Sequence, residues 1–170
     1  QAISVACRSM GQEQMTSYST EVFHVDAGDY TDLVGAIGSA FSNADTWVNV
    51  EPVVDDSQRI EVPGIFAWFS ARGPQVPIGT FVSAGSNMAA SVGLNHGTGR
   101  GASERLIAGG VGVPERWVLK QDHPKTGLVW EIHPRGVEAA AVARLLLEGT
   151  SLFCPTSVEG QWIATLHQPS

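Results

Sequence analysis

The chain has 170 residues and a formal charge of −7 at pH 7, from 17 acidic and 10 basic side chains. Its hydrophobic fraction of 43% is enough for a buried core, which excludes a disordered tail, a collagen-like repeat and a coiled coil. The acidic balance argues against a general nucleic-acid binder, which needs a basic surface to release counterions, and no stretch reaches the ~18 consecutive apolar residues that span a bilayer.

Residues 1–17 are polar and aperiodic and read as an N-terminal arm ahead of a single globular domain, 18–170. The chain opens on Gln1 rather than Met, which implies trimming, processing or a sequence written without its first residues. Gln1 to Gln14 holds no apolar core of signal-peptide type. Tyr18 to Asp26 alternates as a strand, with Val22, His24 and Asp26 on one face and Phe23 and Val25 on the other. Ala27-Gly28-Asp29 is a turn. Thr31 is placed to cap a helix to about Ser42, whose Leu33, Val34, Ile37, Ala40 and Phe41 recur at helical spacing.

Thr46 to Val54 alternates as a second strand, and Pro52 in it points to a sheet edge or a bulge. Arg59 to Ala71 contains an apolar strand, Ile78 to Ser83 another, and Ser103 to Ala108 a short helix within the glycine-rich stretch 84–114. Arg116 to Gln121 and Leu128 to His133 form a hairpin around His123-Pro124-Lys125-Thr126-Gly127. Leu128, Trp130 and Ile132 share one face of it; Val129, Glu131 and His133 share the other. Val137 to Glu148 is a helix, with Gly149 in the C-capping position. Short strands near Ser151 to Phe153 and Gln161 to Leu166 close the chain. This order lacks the regular alternation of a doubly wound sheet. It points to an α+β fold with a mainly antiparallel sheet and two principal helices, with a β-sandwich carrying two inserted helices as the alternative.

Candidate chemistry is sparse. His24 with Asp26, and Glu131 with His133, each project from one face of a strand. Were those strands neighbours, the four groups would converge as a general acid/base site of hydrolase type. Gly97-Thr98-Gly99-Arg100-Gly101-Ala102 has the G-x-G-x-x-A spacing that lets backbone amides approach a phosphate. Gly97, Gly99, Arg100 and Arg105 are therefore candidate anion-binding residues. Gly64-Ile65-Phe66, ten residues, then Pro77-Ile78-Gly79 resembles in spacing the paired tripeptides of the GIY-YIG nucleases. Phe66 and Pro77 stand where that family has tyrosines, and no arginine follows before Arg100, so the resemblance implies neither base nor phosphate clamp here. No Gly-x-Ser-x-Gly, Cys-x-x-Cys or glycosylation sequon occurs. Cys7 and Cys154, one near each end, read as free thiols, and neither a cofactor nor a metal site is expected.

Charge poverty is the broadest clue. Charged residues are 16% of the chain, against about 25% in an average soluble domain. Lys120 and Lys125 are its only lysines. Interface cores are depleted in Lys, Glu and Asp, so the expectation is a non-catalytic structural or assembly subunit of a homo-oligomer, shell or tail. Its partners are then copies of itself or a larger assembly, not nucleic acid and not membrane. The alternatives are the small hydrolase above and a sugar- or peptide-binding module built on exposed members of Trp47, Trp68, Trp117, Trp130 and Trp162.

Overall fold

A computed structural model describes residues 17–55, 76–85, 88–133 and 138–170. The described chain runs β1 (Tyr18–Asp26), α1 (Thr31–Ser42), β2 (Trp47–Pro52), β3 (Ile78–Val82), β4 (Ala90–Asn95), α2 (Ala102–Ala108), β5 (Val118–His123), β6 (Gly127–Ile132), α3 (Ala139–Phe153) and β7 (Gln161–Pro169). The strands form one seven-stranded sheet in the order β1-β7-β2-β3-β4-β6-β5, and every neighbouring pair is antiparallel. The fold is α+β with a mainly antiparallel sheet, and the described residues form one sheet rather than a sandwich of two.

Period-two alternation sorts the side chains cleanly. Val48 and Val50 of β2, Phe81 of β3, Val92 and Leu94 of β4, Leu128 and Ile132 of β6 and Ala164 of β7 are fully buried. Registers such as Val48 opposite Phe81, Phe81 opposite Val92 and Leu94 opposite Leu128 put them on one face. The helices α1 and α3 cover that face, through Leu33, Ile37 and Ala40 and through Val142, Leu145, Leu146 and Phe153. Each fully buried Leu, Ile or Phe contributes about 1.5–3 kcal/mol relative to exposure. The opposite face carries Trp47, Asn49 and Glu51, Thr80 and Val82, and Ser91 and Gly93, all half-buried.

Helix α3 approaches the sheet closely because two glycines make room. A Cβ on Gly79 of β3 would lie 2.8 Å from Leu146 Cδ2, and one on Gly149 would lie 2.5 Å from Leu94 Cδ1. Gly149 is therefore inside the helix, not at its C-cap. The apolar stripe continues through Thr150 to Phe153, which carries the helix across the segment expected to be a strand near Ser151 to Phe153. The buried Thr150 hydroxyl donates to the Leu146 carbonyl at 2.6 Å and accepts from the Trp162 indole N–H of β7 at 3.0 Å.

Other elements differ from the sequence reading in detail. Strand β4 was hidden by its own glycine and the glycine-rich run around it. Strand β2 is interior, between β7 and β3; Pro52 is tolerated as its last residue, opposite Trp162, beyond the Val50–Gly79 pair that ends the β3 ladder. At α1 the capping oxygen is not Thr31's own: Asp29 Oδ1 accepts from the Thr31 amide at 3.1 Å. Hydrogen bonds from Thr31 hold the Asp29 carboxyl below its usual value. Arg59 to Ala71 lies outside the described residues.

Replacing Thr150 by Val keeps the volume but strands the buried Trp162 N–H. Urea unfolding is expected to show a loss of about 1–3 kcal/mol with an unchanged denaturant slope.

Candidate functional site

The two histidine–carboxylate pairs do not converge. His24 and Asp26 are on β1, at one edge of the sheet, and Glu131 is on β6, with β7, β2, β3 and β4 between them. Five strand spacings make that roughly 24 Å. Asp26 Oδ1 accepts from the Gly28 amide at 2.8 Å, which fixes the β1–α1 turn. Glu131 pairs with Lys120 at 3.1 Å across the β5–β6 ladder, both half-exposed. His24 is exposed, and His133 follows β6 at the surface. The acid/base site expected of these four residues is thus not assembled, because strand order placed their strands near opposite edges.

The glycine-rich run Gly97 to Ala102 does connect a strand, β4, to a helix, α2. Its setting is an antiparallel sheet, and α2 has only 7 residues. Gly97 and Arg105 line a cleft of about 350 Å³ with Thr98, Phe153 and Cys154; Gly99 and Arg100 are not among its lining residues. Behind it lies His96, fully buried. Its Nδ1 is 3.0 Å from the Thr98 hydroxyl, its ring packs on Phe153 with centroids 4.8 Å apart, and its Nε2 has no partner. Desolvation holds the imidazole below its ordinary value; Arg105 reinforces this and Asp122 opposes it. Asp122 accepts directly from the Ser103 hydroxyl. That contact places acid and hydroxyl side by side, with no histidine between them to act as base, so it is not a nucleophilic triad. The half-buried Cys154 thiol lies 3.5 Å from the Thr156 hydroxyl.

His96 was legible in principle. Ala90, Val92, Leu94 and His96 continue one period-two series, and all four are buried. Of the other sequence features, Cys7, Trp68 and Gly64 to Phe66 lie outside the described residues. Pro77 precedes β3, which begins with Ile78-Gly79, and Gly79 serves helix packing.

The aromatic side chains divide by face. Trp117, Trp130 and Trp162 are buried. Trp47 is half-buried on the open face, stacked on His167 of β7 at 4.7 Å and 16°, with Tyr18 of β1 at 4.9 Å. Thr20 Oγ1 lies 3.1 Å from His167 Nδ1. These contacts tie β1 to β7 and β2.

Among the described residues, no strand pairs with the outer side of β1. Its nine pairs with β7 run without a bulge, from Tyr18–Pro169 to Asp26–Gln161. The Ala27 amide donates to Gly160 O at 2.8 Å, and Ser17 O accepts from the Ser170 amide at 2.9 Å. Inward and outward groups alternate along an antiparallel strand. Residues 19, 21, 23 and 25 therefore point at β7, while the N–H and C=O groups of Tyr18, Thr20, Val22 and His24 point outward. Val22 is 62% exposed and Tyr18 43%. The other edge, β5, is protected by a bulge between Leu119 and Gln121 and by Lys120. Strand β1 has neither lysine, proline nor bulge, the usual devices that blunt an edge.

Neutral His96 in the fold makes stability pH-dependent. The unfolded chain takes up a proton below the ordinary value of 6.5 while the folded one resists it, so stability falls as pH drops through that region and is regained above it. Urea midpoints measured from pH 7.5 down to 5 are expected to fall, and His96→Phe is expected to flatten that slope.

No family model, no curated protein and no solved structure matches this chain.

Proposed function

We propose that this protein is a non-catalytic assembly subunit that joins copies of itself edge to edge through β1. The carrying observation is the outer ladder of Tyr18, Thr20, Val22 and His24, a row of backbone donors and acceptors with no strand paired to it among the described residues. The antiparallel register of a two-fold axis through Val22 sets Val22 against Val22, Thr20 against His24 and Glu21 against Phe23. No like charges face each other across it. The outward residues Thr20, Val22 and His24 form narrow pairs, with two backbone hydrogen bonds at each. Pairing further out stops naturally, since Asp26 O already accepts from the Asp29 amide at 3.2 Å. The exposed Val22 and Tyr18 side chains gain cover, and two seven-stranded sheets become one continuous sheet. Low overall charge supports the same reading, because a covered exterior needs fewer ionised side chains.

The test is mass in solution against concentration by light scattering or sedimentation. A dimer or larger species is expected at micromolar concentrations, and a strict monomer through the high micromolar range overturns the reading. Val22→Pro removes an N–H that points away from β7, so the internal ladder is kept. That variant is expected to be monomeric with far-UV dichroism unchanged; undiminished association in it also overturns the reading.

A further inference from the structure

On the helical face, away from the outward ladder of β1, lies a cleft of about 560 Å³. Its floor is apolar: Trp162 of β7, Leu147 of α3 and Val111 after α2, all nearly buried. Its rim is polar: Arg144 and Glu148 project from one face of α3, and Tyr30, at the start of α1, also lines it. The backbone of Gly109 and Gly110 completes the wall. A volume of this size over an apolar floor, with few polar groups at its mouth, is the usual form of a small-molecule site.

The two rim charges are four residues apart, so their Cβ atoms lie about 6 Å from each other on adjacent helical turns. Arg preceding Glu is the less favourable order for an intrahelical pair, and neither side chain has an ion-pair partner among the described residues. A cation and an anion therefore stand side by side without neutralising one another. From this we infer a binding site for a small zwitterion with an apolar side chain, of free amino acid to dipeptide size. The ligand carboxylate sits on the Arg144 guanidinium as a charge-assisted, two-pronged contact. The ligand ammonium sits on the Glu148 carboxylate, and the apolar side chain lies on Trp162 and Leu147. In an extended dipeptide one Cα–Cα step plus an N–Cα and a Cα–C bond separate the ammonium nitrogen from the carboxylate carbon by about 6 Å, which suits the spacing of the rim pair.

The probe is leucyl-leucine, compared with its neutral N-acetyl amide, titrated into the ¹⁵N-labelled full chain. Saturable shifts of the Trp162 indole and Gly110 amide signals are expected at millimolar concentrations for the zwitterion. Arg144→Gln and Glu148→Gln are each expected to weaken binding by about tenfold. Both positions are exposed, so retained dispersion of the other indole signals reports that the variants fold. Absence of saturable shifts overturns the proposal. So does equal binding of the neutral analogue, or wild-type binding by both variants.

Discussion

The closeness of α3 to the central strands organises the molecule. Gly79 on β3 and Gly149 on α3 leave no Cβ in the contact, so Leu146 and Leu94 fill the space that side chains at those positions would occupy. The buried Thr150 hydroxyl then serves two partners at once, a carbonyl of its own helix and the Trp162 indole of β7. That bond ties the last helix to the strand that follows it. Strand β7 in turn lies between β1 and β2, so the position of α3 fixes the strand from which β1 hangs.

Among the described residues, the helices form a single layer on one face of the sheet. The side chains on its other face are half-buried and mixed in polarity. That face offers one register-aligned row, Thr20, His167, Trp47, Val82, Ser91, Glu131 and Val118, running from edge to edge. Aromatic stacking of Trp47 on His167 holds the β7–β2 part of this row, while β1 adds only Tyr18 and Thr20 to it. Strand β1 is held by its ladder to β7 and by Val25 and Phe23 on the core face. Among the described residues no strand pairs with its outer side, and the proposed edge-to-edge assembly rests on that feature.

Buried polarity is confined to a few places, and each has a different meaning. Thr150 is satisfied and structural. His96 has one partner at Nδ1 and none at Nε2, in an apolar pocket against Phe153. The fold keeps it neutral and loses stability when the unfolded chain can take up the proton that His96 resists. The cleft beside Trp162 instead keeps its charges at the rim, where water still reaches Arg144 and Glu148. A ligand there meets apolar surface below and opposite charges above, which is a different design from a buried catalytic centre.

Local periodicity by itself determined much of the fold. Alternation located β1, β2, β3 and the β5–β6 hairpin, and the 3.6-residue spacing located α1 and most of α3, because each pattern reflects one buried face. It also sorted Leu128, Trp130 and Ile132 from Val129 and Glu131. What it could not give was strand order. Whether His24 met His133 depended on which strands became neighbours, and that was decided by α3 docking and by β7 returning between β1 and β2. The same tertiary contacts moved Gly149 from a cap to a packing position and turned Ser151 to Phe153 into helix. They also left β1 at an edge of the sheet that the described residues form. Charge and composition could suggest a covered exterior; only the pairing of β1 with β7 showed which backbone groups face out.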